Sequence, residues 1–191
     1  MTDIMSPAQR HRCMSHIRSR NTKPELKVRQ WLWNHGYHYR LCVKGVPGKP
    51  DIVMRKYRTA IFVNGCFWHG HGVETVHAPS LQFETGNGKW EIRNSTCCKI
   101  PKTNRDFWLA KIQRNQERDE RNYQILRENG WQVIVLWECQ LKANLLEDTM
   151  RQVEVALQDN YLRTFSHKAK TYILVDEENL PMAAEDTIEY N

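Results

Sequence analysis

The stretch Ala60-Ile61-Phe62-Val63-Asn64-Gly65-Cys66-Phe67-Trp68-His69-Gly70-His71 decides how the rest of the chain is read. Its first four residues are an apolar run of the kind that makes a buried strand. Asn64-Gly65 ends the run, because both residues tolerate the positive φ of a tight exit. A thiol, two adjacent aromatic rings and two imidazoles then follow between Cys66 and His71. A packed core has no need of that mixture on a glycine-rich turn. A site that binds metal, inserts rings into a partner and moves a proton does.

Working upstream, Asp51-Ile52-Val53-Met54 and Tyr57 to Val63 read as two strands joined by the basic turn Arg55-Lys56. A lone Asp after Pro50 is ordinarily turn punctuation. At the mouth of a strand pair that delivers the Cys66–His71 turn, Asp51 is better read as a hard oxygen ligand for Mg²⁺. Tyr37 to Val43 alternates as a further strand, and Lys44 to Pro50 is loop chemistry throughout. Thr22-Lys23-Pro24-Glu25 has capping-box spacing with Pro in the first turn, so a helix runs through Leu26, Val28, Trp31 and Leu32 to Gly36. Ser6-Pro7 opens a basic amphipathic segment that reaches about Arg18, suited to clamping onto DNA.

Downstream, Gln82 to Ile92 reads as a β-hairpin around Gly86-Asn87-Gly88, inside an insertion spanning about 78–96. Thr103-Asn104 caps a helix over about 104–129 that stops at Gly130. Phe107, Trp108, Ile112, Tyr123, Ile125 and Leu126 supply its apolar face, and the charged middle from Lys111 to Asn122 is mostly solvated. Trp131 to Trp137 is a β-branched buried strand, and Leu141 to Leu157 a terminal helix. The order α, α, β, β, β, α, β, α implies one α/β domain with a mixed sheet.

The 191 residues carry 28 Lys+Arg against 22 Asp+Glu, a net charge of +6 that is unevenly placed. Residues 1–50 hold ten basic side chains and two acids, whereas 171–191 hold six acids and no Lys or Arg. The basic half suits a polyanion, and the acidic tail is a separate element. No apolar stretch has membrane-spanning length and no signal-peptide pattern opens the chain, so a cytoplasmic location is expected; a monomer is expected separately. In a reducing compartment the six cysteines read as metal ligands or buried thiols rather than a disulfide framework.

Cys66, His71 and Cys139, with Cys97 or Cys98 as the fourth, supply the soft donors of a tetrahedral structural Zn²⁺ site. Their spacing is not that of a zinc finger; their position on loops beside strand ends carries the argument. His69 remains outside this set, and an imidazole facing the Asp51 strand fits a general base for activating water. Asp119 is a carboxylate of the kind that orients such an imidazole. Phe67, Trp68 and Trp108 are the rings, suited to wedge between weakly paired bases.

Several blocks together resemble the very short patch repair (Vsr) DNA mismatch endonucleases. They are Pro47-Gly48-Lys49-Pro50-Asp51, Phe62 to His71, Pro101-Lys102-Thr103-Asn104 with Phe107-Trp108, and Val135-Leu136-Trp137-Glu138-Cys139. Met14 and Asn21 to Glu25 fit as well, so the likeness covers about residues 5 to 157. The resemblance implies a restriction-endonuclease-like fold and Mg²⁺-dependent nicking of one strand 5′ to the T of a T:G mismatch, the lesion left by deamination of 5-methylcytosine. It implies that Asp51 and the backbone of Val63 bind Mg²⁺, that His69 is the base and Asp119 its support, and that Glu25 lies near the metal waters. It further implies that Phe67, Trp68 and Trp108 wedge into the DNA, that Lys111 touches the mismatch, and that the segment around Met14 grips the opposite side. Mismatch-repair proteins become candidate partners beside double-stranded DNA.

The implied organisation is a DNA-clamping segment at 1–20, an endonuclease domain at 21–157 and an extension with an acidic tail at 158–191. Asn64 departs from the family, standing where some members carry a histidine. Two other functions compete: a zinc-stabilised DNA-binding module without catalysis, and a restriction-type endonuclease that cuts both strands.

Overall fold

The computed structural model describes residues 6–15, 20–72 and 97–169. The hairpin expected between 82 and 92 and the acidic tail lie outside them. Among the described residues, three strands form one mixed sheet in the order β1 (Ile52–Met54), β2 (Thr59–Asn64), β3 (Gln132–Trp137). β1 runs antiparallel to β2 with Ile52 opposite Ile61, and β2 runs parallel to β3 from Thr59–Gln132 to Asn64–Trp137. β2 is therefore central and paired on both edges, which is why its sequence is an apolar run rather than a clean alternation.

The link between β1 and β2 is a 3-10 turn, Arg55–Tyr57, that leaves through Arg58 at φ +44°. The Arg58 guanidinium donates to the carbonyls of Asn129 (2.9 Å) and Gly130 (3.1 Å). It thereby fastens this turn to the end of the long helix that precedes β3. The parallel pairing of β2 and β3 requires a crossover, and helix α3 (Arg105–Glu128) lies within it.

Alternate residues of β2 face opposite layers. Ile61 joins a core with Val28, Trp31 and Leu32 from α2 (Lys23–Asn34) and Met150, Val153 and Leu157 from α4 (Leu146–Ala169). Ala60 and Phe62 face Tyr123 and Leu126 of α3, with Val133 of β3 completing that second core. The sheet is thus sandwiched between helices on both sides. A short helix, α1 (Pro7–Ser15), precedes α2.

The capping box at α2 is present in both directions. Thr22 Oγ1 accepts from Glu25 N (3.4 Å), and Glu25 Oε2 accepts from Thr22 N (3.3 Å). Four expectations need correction. Among the described residues, Tyr37 to Val43 makes one antiparallel bridge, Arg40 with Val53, and Cys42 then turns to φ +50°. Leu26 lies on the exposed side of α2 rather than on its packed face. Asn104 sits at the start of α3 in the left-handed region without a side-chain cap hydrogen bond. The last helix begins at Leu146 rather than Leu141, which belongs to the 3-10 turn Glu138–Leu141, and it continues past 157 to Ala169. That continuation is docked: Asn160 Nδ2 donates to Tyr57 O (2.5 Å), and the Tyr161 ring lies 5.6 Å from that of Tyr57.

α3 packs on the core only through its second half. Tyr123 and Leu126 are buried there, and Ile112 of the first half is buried against the loop at Gly70, whereas Phe107 and Ile125 from the expected apolar face are exposed. The first half of α3 extends past the sheet and serves the loop after β2 instead. Asn64, at the end of β2, is buried and donates from Nδ2 to the Tyr123 hydroxyl (3.1 Å). Its side chain is therefore committed to holding β2 on α3. Tyr123→Phe leaves the Asn64 amide buried without that acceptor and is expected to cost about 1–3 kcal/mol. Urea unfolding of the two proteins measures the difference.

Candidate active site and metal centre

The loop that leaves β2 is a compact coil held by its own backbone. His69 N donates to Gly65 O (3.3 Å), Gly70 N to Phe67 O (3.4 Å) and His71 N to Cys66 O (2.9 Å). α3 holds it from outside: Asn115 Nδ2 donates to Trp68 O (2.8 Å) and Gln116 Nε2 to Gly70 O (3.3 Å). Gly70 is required at this contact. It has φ +65°, and a Cβ there would stand 2.4 Å from Ile112 Cγ2 and 2.8 Å from Gln116 Nε2. Asn115 and Gln116 belong to the charged stretch read as mostly solvated. Their spacing after Ile112 on the helix was the available signal for a face turned to the loop.

Three donors of the loop and its surroundings converge with a fourth from beyond β3. The ligand atoms of Cys66, His71, Cys97 and Cys139 all lie within 4.8 Å of one another. His71 Nδ1 stands 3.1 Å from Cys97 Sγ and 3.3 Å from Cys139 Sγ. Its ring stacks on Trp137 with centroids 4.3 Å apart and planes 9° apart, so Nδ1 is aimed at the sulfurs. Nε2 is buried with no hydrogen-bond partner among the described residues. Metal–sulfur and metal–nitrogen bonds of about 2.3 and 2.0–2.1 Å place tetrahedral ligand atoms about 3.5–3.8 Å apart, so this cluster fits a four-coordinate ion. Cys97, rather than Cys98, completes the set.

Burial pushes the Cys66 thiol far above its ordinary range, and burial pulls the His71 imidazole below its own. Without a cation, then, Cys66 and His71 favour their neutral forms. A bound ion reverses that preference for the thiols by stabilising thiolates.

On the sheet side of the same loop stand two carboxylates and an imidazole. Asp51 precedes β1, and its Oδ2 accepts a hydrogen bond from Val63 N of β2 (2.7 Å). Burial raises the Asp51 pKa above the usual carboxylate value; the Val63 bond opposes the rise, the charge of Glu25 adds to it and His69 opposes it. Glu25 is itself buried at the first turn of α2 and paired with Arg29 (3.0 Å). Two carboxylates in such a pocket repel each other when both are ionised. A divalent cation between them would offset that repulsion, so these residues fit a hard metal.

His69 Nδ1 is hydrogen-bonded to Asp119 Oδ2 of α3. The other carboxylate oxygen, Oδ1, accepts from Arg118 Nη2 (2.9 Å) and Nε (3.3 Å). The pairing fixes the imidazole's orientation and leaves Nε2 as the nitrogen able to accept a proton, provided Nδ1 carries the hydrogen. Arg118 was not singled out in the sequence. As the neighbour of Asp119 on an exposed, charged helix stretch it carried no local signal.

Outward from His69 is a cluster of rings. Phe67 meets Trp68 (5.1 Å between centroids) and Trp108 (5.2 Å), and Phe107 meets Trp108 (5.4 Å), all near edge-on. Lys111 Nζ lies over the faces of Trp68 (5.2 Å) and Trp108 (5.4 Å). Cation–π contacts of this kind hold the ammonium beside the rings. Every sequence-derived candidate with a described side chain therefore falls into one of three adjoining groups, apart from Cys98. Met14 lies on α1, and its side chain is outside the described ones.

No described helix is long and apolar enough to cross a membrane. The family model described as DNA mismatch endonuclease Vsr matches residues 2–75. A type II nicking enzyme of Neisseria meningitidis serogroup A, V.NmeAIP, is 43% identical over 142 residues, covering 74% of this chain and 86% of that protein. The type II nicking enzyme V.XorIIP of Xanthomonas oryzae is 39% identical over 154 residues, covering 80% and 97%. The DNA mismatch endonuclease Vsr of Escherichia coli K12 is 34% identical over 142 residues, covering 74% and 77%. With matches of that identity and span, the chain belongs to the Vsr family of DNA mismatch endonucleases.

Proposed function

We propose that this endonuclease nicks one strand of double-stranded DNA 5′ to the T of a T:G mismatch, using Mg²⁺, and so starts repair of deaminated 5-methylcytosine. The observation that carries the proposal is the convergence at one sheet end of an Asp51–Glu25 carboxylate pair, a carboxylate-oriented His69 and a half-exposed ring cluster. The family's name and those of its nicking relatives supply the reaction class. In this account the mixed sheet with helices on both faces is a restriction-endonuclease-like fold.

His69 takes a proton from the attacking water at Nε2 while Nδ1–H stays on Asp119. Asp119 remains charged, stabilises the imidazolium that forms, and is held in place by Arg118. Asp51 and the backbone of Val63 would hold the Mg²⁺, with the Glu25 carboxylate nearby. When bound, that ion supplies Lewis-acid stabilisation of the phosphate charge. Phe67, Trp68 and Trp108 enter the stack where pairing is weakest, since unstacking costs least at a mismatch. Lys111 reaches the mismatched pair, and α1, which carries Met14, grips the far side of the duplex. The Cys66, His71, Cys97, Cys139 cluster holds structural Zn²⁺ and ties the loop to the turn after β3.

Asp51→Asn and His69→Ala are expected to lower nicking by at least about 10²-fold, the usual contribution of a positioned acid–base group. Both should still bind a T:G duplex. Asp51→Asn should also raise stability in Mg²⁺-free buffer, by on the order of 1 kcal/mol, because it removes an ionised group from a site that disfavours it. A carboxyl with a raised folded pKa stabilises the fold while protonated, and that contribution is lost as pH rises through its folded pKa. Turnover retained by both variants rejects these roles.

Metal analysis of protein purified without added zinc should find about one equivalent. Cys97→Ser should lose the metal and the stability it brings, while Cys98→Ser keeps both. The opposite pattern would exchange the two cysteines, and no metal in either folded variant or wild type would reject the site.

A further inference from the structure

Phe107 is an unexpected residue to leave in solvent. It is 56% exposed at the start of α3, where the nearby rings Phe67, Trp68 and Trp108 are half-buried. Leaving a Phe side chain uncovered forfeits the free energy its burial would bring. Its ring continues the cluster outward, near edge-on to Trp108 at 5.4 Å, and Lys111 Nζ lies 6.0 Å from its centroid. Lys102 and Arg105 lie just before it in the sequence, with Asp106 as the one intervening acid. An outward ring among cations, continuous with a ring cluster, has the makings of a base-stacking platform. An acidic or apolar protein partner does not explain its continuity with Trp108 and Lys111.

We propose that Phe107 is a fourth DNA-contacting ring, stacking on a nucleobase laid open beside the mismatch and adding to the preference for T:G over paired duplex. The inference rests on the functional reading above. It adds a residue at which stacking, rather than charge, makes the discrimination. Base–aromatic stacking tolerates any base, because every base has a π face. Phe107 therefore contributes to detecting an unstacked site and not to reading the flanking sequence.

The test is equilibrium binding, without added Mg²⁺, to duplex pools with randomised flanks and a central T:G or T:A pair. Phe107→Ala is expected to lose about tenfold in affinity for the T:G pool and less than about twofold for the T:A pool. Its thermal midpoint should match wild type, since an exposed ring adds little to the fold. Phe107→Tyr keeps the π face and should bind as wild type does. Phe107→Leu keeps bulk against Trp108 without a π face, and should bind as Phe107→Ala does. Full T:G affinity in Phe107→Leu would mean that the ring merely props Trp108, and full affinity in Phe107→Ala would remove it from the interface; either overturns the proposal. A wild-type protein with no T:G preference instead overturns the functional reading, and this inference with it.

Discussion

The seating of the 65–72 loop on α3 is the contact on which the rest of the site depends. Asn115 and Gln116 hold two of the loop's carbonyls, and Gly70 lets the backbone approach Ile112 more closely than any side chain would allow. That one interface sets three directions at once. It turns His69 towards Asp119 four residues further along the helix from Asn115, sets Phe67 and Trp68 edge-on to Trp108, and aims His71 at the sulfurs of Cys97 and Cys139. A helix is stiff, so groups on its successive turns keep their spacing. The loop borrows that stiffness, as a functional constellation on a loop must.

The opposite wall is the sheet. Because β2 is paired on both sides, Val63 has a fixed place, and its N–H fixes Asp51 across the strand pair. Glu25 reaches the same region from α2, where the capping box already restricts its side chain. The fold therefore holds Asp51 where burial and the nearby charge of Glu25 disfavour its ionised form. Such a group weakens the fold when ionised, which is a usual accompaniment of a site shaped for a cation or a reaction.

What the sequence revealed follows from which signals are local. The strands around Ile61 and Val133 are apolar runs bounded by turn residues, and Thr22 and Glu25 form a reciprocal cap, so these elements were legible. The 66–71 loop stood out as a candidate site too, because a thiol, rings and imidazoles on a glycine turn are hard to explain by packing. The failures involve through-space facts. An expected strand makes one bridge among the described residues, with the left-handed Cys42 after it. Phe107 belongs to an apolar pattern whose helix outruns the core it was expected to cover. Cys97 and Cys98 are adjacent and chemically alike, so only the path of the chain separates them. Asn64 finds its partner, Tyr123, 59 residues away.

The central claim is a single-strand cut directed by a T:G pair, and nucleotide-resolution mapping tests it most directly. The substrate is a pool of duplexes, each with a central T:G mismatch in randomised flanks, incubated with protein and Mg²⁺. The account predicts one nick, 5′ to the mismatched T and on that strand alone, with the flanks of the cut molecules giving the preferred context. Equal cutting of both strands, or of matched T:A duplexes, would contradict it.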